Sequence, residues 1–177
     1  AKRLQQQGFE VLFIPVNADG LINVEIFETL LTDDTRLVSV MWANNETGVI
    51  QNIAQLTELT RQRDIVFHSD AVQAAGKLEI DFQAAGIQMM SLSAHKFGGP
   101  KGVGALIVDK KLDWPAYVLG GGQEHEKRSG TENVAAIVGF GAAAEKAKQQ
   151  LTHYQQHCRE LRDLLEIRLR EIPGVTV

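Results

Sequence analysis

The chain has 177 residues, 44% of them apolar and 23% charged, enough for one packed domain or one domain and part of a second. A formal charge of −4 without a basic block argues against nucleic acid as a partner, and no apolar run approaches the roughly 20 residues of a membrane-spanning helix. The single cysteine, Cys158, excludes an internal disulfide and fits a reducing compartment, so a cytoplasmic location is expected.

In chain order, the opening residues through Gly8 read as the last turns of a helix, with the glycine as its stop. Residues 11–16 (VLFIPV) predict a short buried strand, which Pro15 limits to an end or an edge. Asn23 is placed to cap a helix reaching about Leu31. Residues 36–42 are the next strand, nearly all apolar and so expected to be covered on both faces. The polar stretch Ala43-Asn44-Asn45-Glu46-Thr47-Gly48 follows, and Asn52 then caps a helix with Ile53, Leu56, Leu59 and Thr60 on one side. Residues 65–69 form a strand that runs straight into Asp70-Ala71-Val72-Gln73.

A connection through Gly76 and Asp81 leads to a strand at Met89–Ser93. After it come a polar turn rich in glycine and lysine and a second apolar run, residues 103–108. Strands alternating with helical crossovers predict an α/β fold, a three-layer α/β/α sandwich with a mostly parallel sheet. Residues 119–133 are a long polar glycine-rich loop, a length that commonly carries function. A helix rich in small residues is expected from about Asn133, and a second helix from about Leu151 to Glu171. Pro173-Gly174-Val175-Thr176-Val177 reads as a strand just beginning, so both ends look cut and a fragment of a longer protein is expected.

In doubly wound sheets ligands gather beyond the carboxyl ends of the strands. Asn45, Asp70, Gln73, Ser93, His95 and Lys96 all fall just past strand ends, and parallel strands would bring them to one rim. Lys96, at the end of a buried strand, offers an amine suited to a Schiff base with an aldehyde. The Gly98-Gly99-Pro100-Lys101-Gly102 turn is no nucleotide phosphate loop, because Gly-Lys-Ser/Thr is missing at the required spacing. Arg128-Ser129-Gly130-Thr131 places a guanidinium, two hydroxyls and backbone amides before a helix, groups able to hold a phosphate. His153 and His157 are four apart with no third ligand evident in sequence, so no metal site is expected. Pyridoxal phosphate suits the set, with Lys96 for the aldehyde and Asp70 against the ring nitrogen. Asn45 and Gln73 would meet the phenolic oxygen, and Ser93 and His95 the phosphate.

Four motifs, in order along nearly the whole chain, carry a resemblance. They are Asn45-Glu46-x-Gly48, His68-Ser69-Asp70-Ala71-x-Gln73, Ser93-Ala94-His95-Lys96-x-x-Gly99-Pro100-Lys101-Gly102 and Arg128-Ser129-Gly130-Thr131-x-Asn133. Together they resemble the cysteine desulfurases of the NifS/IscS type, in the class V aminotransferase group of fold-type I pyridoxal phosphate enzymes. The resemblance implies that Lys96 is the Schiff-base lysine and moves protons at the substrate's α-carbon. It implies that Asp70 partners the pyridine nitrogen, Gln73 the phenolic oxygen, and Asn45 that oxygen and the substrate carboxylate. Ser93 and His95 would be phosphate ligands, and Thr131 a phosphate contact donated to the neighbouring subunit of a homodimer. The substrate would be L-cysteine, with alanine released and a persulfide passed to a sulfur-acceptor protein for iron–sulfur assembly or thiolation.

The departures are as informative. The family's persulfide cysteine lies beyond the last helix, and its ring-stacking histidine and N-terminal phosphate-loop threonine belong before Ala1. Cys158 matches no catalytic position and is expected to be inert. By the same likeness, residues 1–149 would be part of the cofactor-binding large domain, and residues 150–177 a helix leading into a small domain. Such a fragment is expected to be inactive alone. Other readings are a selenocysteine lyase, a sulfinate-acting desulfurase or an aminotransferase of the same group, or a non-catalytic scaffold or dimerisation module.

Overall fold

Asn23 and Asn52 each end an extended stretch and begin a helix. In a computed structural model that describes residues 1–177, Asn23 Oδ1 accepts the amide of Ile26 at 3.0 Å and Asn52 Oδ1 that of Gln55 at 3.3 Å. Each bond satisfies one of the amides that a helix start leaves without a partner. The elements are α1 (Lys2–Gln6), α2 (Val24–Leu30), β1 (Leu37–Met41), α3 (Ile53–Arg61), β2 (Val66–Asp70), β3 (Met89–Ser93), a 3-10 turn (Ala94–Phe97), β4 (Gly104–Val108) and α4 (Val134–Arg170).

The chain packs as two units. The first comprises Ala1–Gln73, Asp81–Ser91 and Leu106–Leu112, and the second Ala74–Ile80, Leu92–Ala105 and Asp113–Val177. In the first, β1 and β2 pair in parallel from Leu37↔Val66 to Met41↔Asp70, and β2 and β3 from His68↔Met89 to Asp70↔Ser91. The strand order is β1-β2-β3-β4. Two bonds, Asp109 N to Gln88 O at 2.8 Å and Ala94 N to Val103 O at 3.2 Å, show β4 returning antiparallel beside β3. The sheet is therefore mostly parallel, as expected.

The core of the first unit gathers Phe27 of α2, Ile53 and Leu56 of α3, and Phe67 of β2, all fully buried. Each such side chain contributes roughly 1.5–3 kcal/mol by leaving water. The buried positions of α3 (Ile53, Leu56, Thr57, Thr60) recur at helical spacing. Thr57 Oγ1 donates to the carbonyl of Ala85 at 2.7 Å, which ties α3 to the segment entering β3.

Several expectations are corrected. Residues 11–16 form no strand: only Val16 bridges, to Ile22, and Phe13 is 70% exposed. Apolar composition makes a strand only where a neighbour accepts its hydrogen bonds, and Pro15 removes one donor. β1 is covered on one face, with Val38 and Val40 buried while Leu37 is 52% exposed. The expected connection from β2 to β3 through Gly76 and Asp81 consists of turns, and Asp81 Oδ1 accepts the amides of Gln83 and Ala84 there. The two C-terminal helices are one, because residues 142–150 are almost all strong helix formers. The last residues form no strand.

His68, at the centre of β2, fastens the sheet across three strands. Its Nδ1 lies 2.8 Å from Ser39 Oγ on β1, and its Nε2 2.8 Å from Ser91 Oγ on β3. Burial pushes its pKa below the ordinary value, against a smaller upward pull from the Asp70 carboxylate. The folded chain thus binds this proton less well than the unfolded chain. The associated stability is fully present above the unfolded value of about 6.5 and is lost as pH falls through the lower folded value. We expect His68→Gln to cost about 1–3 kcal/mol at pH 7.5, and clearly less at pH 5, in urea unfolding followed by circular dichroism.

Candidate functional site

The first unit carries three of the residues singled out from sequence. Asp70 is the last residue of β2, in register with Met41, and its carbonyl accepts the amide of Trp42 at 2.8 Å. The amide of Ala71 in turn donates to Ser91 O at 3.1 Å. The chain leaves the sheet held on both sides, and Asp70 Oδ1 accepts Val72 N at 3.0 Å, which sets the carboxylate. Gln73 follows, half-buried, in the turn beyond.

Asn45 lies in the loop leaving β1, exposed, with its amide donating to the Glu46 carboxylate. That loop is built by a residue the sequence reading passed over. Asn44 Oδ1 accepts the amides of Glu46 at 2.8 Å and Thr47 at 3.0 Å, and Asn44 N donates to Val49 O at 2.8 Å. An Asn followed by polar residues and Gly48 is a sequence signal for this side-chain-closed turn.

The second unit carries the other four. β3 ends at Ser93, and the chain winds through one 3-10 turn that holds His95 and Lys96, both exposed. Gly98 closes the turn at φ 87°, a left-handed conformation that favours glycine, and Gly99 N donates to Ala94 O at 2.9 Å. Ser93 Oγ and His95 Nδ1 are 2.9 Å apart, so hydroxyl and imidazole are already oriented together. Burial, and then the positive charge of Lys96, push the Lys77 amine below its ordinary value. Two lysines, an imidazole and a hydroxyl thus share one region of this unit, a donor set suited to an anion.

What fixes that turn is its packing against α4. Ala94 is fully buried, and a methyl added at Gly99 would stand 2.9 Å from both the Cβ and the carbonyl oxygen of Ala94 and 3.2 Å from Ala143. A methyl at Gly139 would meet Pro100 at 2.7 Å, and one at Gly76 would meet Phe97 at 2.6 Å. The rings of Phe97 and Phe140 lie 5.5 Å apart. The small residues of α4 let this turn seat closely.

The loop before α4 is closed on itself. Arg128 Nη1 donates to Gly130 O at 2.9 Å and its Nη2 lies 3.5 Å from the Glu124 carboxylate, while Gly130 N donates to Gln123 Oε1 at 3.0 Å. The Arg128 guanidinium, read from sequence as a phosphate donor, is therefore engaged with its own loop. Thr131 is exposed, two residues before the cap Asn133, and makes no hydrogen bond to Ser93, His95 or Lys96. Cys158 is exposed on α4, one turn from Tyr154.

Comparison with known proteins places these features in context. The aminotransferase class-V family model matches residues 1–177. A cysteine desulfurase IscS of Neisseria meningitidis serogroup A is 48% identical over 176 residues, 98% of this chain and 43% of that protein. A solved NifS-like protein superposes with a TM-score of 0.90 at 40% identity, covering 93% of this chain and 46% of the other. The structure titled SspA in complex with cysteine gives a TM-score of 0.78 at 40% identity, over 81% of this chain and 42% of that one. The chain thus spans less than half the length of the relatives it matches.

Two glycines of α4 separate packing from propensity. A methyl at Gly141 would meet nothing within 4 Å, so Gly141→Ala is expected to stabilise by roughly 0.5–1 kcal/mol. Gly139→Ala, against Pro100, is expected to destabilise by about 1–3 kcal/mol in the same urea titration.

Proposed function

The chain belongs to the class-V aminotransferase family, and from that membership we propose that it is the lysine-bearing part of a pyridoxal-phosphate-dependent cysteine desulfurase. The observation that carries the proposal is the turn at residues 94–99, which presents Lys96 exposed beside a preformed Ser93–His95 pair. The relatives named cysteine desulfurase and the neighbour solved with cysteine support L-cysteine as the substrate.

The residues present fit the cofactor by their chemistry. A phosphate needs donors and positive charge, and the second unit offers Ser93, His95 and the Lys77–Lys96 region. A pyridine nitrogen that must stay protonated needs a carboxylate, and Asp70 has one set by Val72 N. Bound pyridoxal phosphate supplies an aldehyde for an amine and a ring that draws electrons from the substrate's α-carbon. Lys96 would anchor the cofactor through its amine, then take and return the proton at the α-carbon. Asp70 would hold the proton on the ring nitrogen. Gln73 and Asn45 would donate to the phenolic oxygen, with Asn45 also orienting the substrate carboxylate. Thr131 would serve the phosphate of a second subunit in a homodimer.

No residue of the chain stands out as the sulfur-accepting nucleophile, since Cys158 sits in mid-helix beside Tyr154. We therefore infer that these residues alone do not complete desulfuration, and that α4 beyond residue 150 leads toward a second domain. A sulfur-acceptor protein and iron–sulfur assembly follow from the same family reading, as does a cytoplasmic setting. No helix is long and apolar enough to cross a membrane.

The proposal is tested by loading the protein with pyridoxal phosphate, reducing with borohydride and mapping the labelled peptide. Label is expected on Lys96 and absent in Lys96→Ala. Label spread over other lysines, or none, would refute the assignment. His95→Ala is expected to weaken cofactor uptake roughly ten- to a hundred-fold, the worth of one or two charge-assisted hydrogen bonds. Fluorescence titration measures it.

A further inference from the structure

We propose that His153 and His157 form a surface site on α4 for a divalent transition-metal ion of borderline softness, of the class of Zn2+ or Ni2+. Four residues apart on one helix, the two side chains leave the same face one turn from each other. Their rings are close to parallel, 24° between planes, with centroids 6.4 Å apart. Both are exposed, and neither ring hydrogen-bonds to the rest of the chain. Nitrogen ligands at about 2.0–2.1 Å from a shared ion require the rings to close by about 1–2 Å, an adjustment open to exposed side chains.

No third His, Cys, Asp or Glu is grouped closely enough to complete a protein cage, so the two imidazoles are the chain's whole contribution to the site. Two imidazoles four apart are the pair through which a helix presents ligands to zinc. Water fills the remaining positions of the ion. Imidazole donors select borderline ions over Mg2+ and Ca2+, which call for oxygen cages. The pair lies outside the groups assigned to the cofactor, so this site stands independently of the proposed function.

The test is calorimetric titration of the untagged 177-residue protein with Ni2+ or Zn2+. One saturable site is expected, with Cu2+ binding more tightly than Ni2+ or Zn2+, Co2+ and Mn2+ more weakly, and Mg2+ not competing. His153→Ala and His157→Ala should each weaken Ni2+ binding at least tenfold. Glu160→Gln, His125→Ala and Cys158→Ser should leave it unchanged. Circular dichroism checks that the helix persists, as expected for substitutions at exposed helical positions. Absence of saturable binding, wild-type affinity in both histidine variants, or loss of binding in Cys158→Ser would overturn the proposal.

Discussion

The approach of the Gly99 backbone to Ala94 and α4 is the contact on which the second unit depends. A side chain of any size at Gly99 meets both the methyl and the carbonyl of Ala94, and Ala94 is fully buried. With nothing there, the chain can leave β3, make a single 3-10 turn and fold back under it, with Gly98 taking the left-handed conformation that closes it. A short 3-10 turn has weak internal hydrogen bonding, so its shape comes from packing. His95 and Lys96 are placed by what lies beneath them.

That arrangement concentrates positive charge. Lys77 lies close enough to Lys96 to be affected by its charge, and its partial burial removes some of the water that would screen the pair. Ser93 and His95 stand 2.9 Å apart in the same unit, with their donors already organised. Where donors are organised before an anion arrives, less ordering entropy is lost on binding.

Where local physics decides, the fold was legible in the sequence. The caps Asn23 and Asn52, the strand Met89–Ser93 and the return through residues 103–108 follow from cap chemistry and apolar runs. Where a distant partner decides, it was not. Residues 11–16 have the composition of a strand but no neighbouring strand to pair with. Arg128 offers a guanidinium suited to a phosphate, yet Gly130 and Glu124 occupy it within its own loop. Asp70, Gln73, Ser93, His95 and Lys96 could be located because strand ends in a parallel sheet are predictable, whereas the Asn44-closed loop that carries Asn45 became evident only in coordinates. The continuity of α4 was missed because composition shifts near residue 150 from small residues to Gln, Arg and Glu, whereas the helix formers of residues 142–150 carry it through.

α4 touches the rest of its unit along one line, through Gly139, Phe140, Ala143, Ala147 and Gln155, the last donating to Lys77 O at 2.7 Å. Along a helix these contacts keep step only while every residue advances the same 100° or so. Adding or deleting a single residue between Gly139 and Gln155 would swing all later contacts round the axis, releasing Lys77 while Pro100 stayed seated. Related chains should therefore vary freely in the identity of the outward-facing residues here and hardly at all in their number.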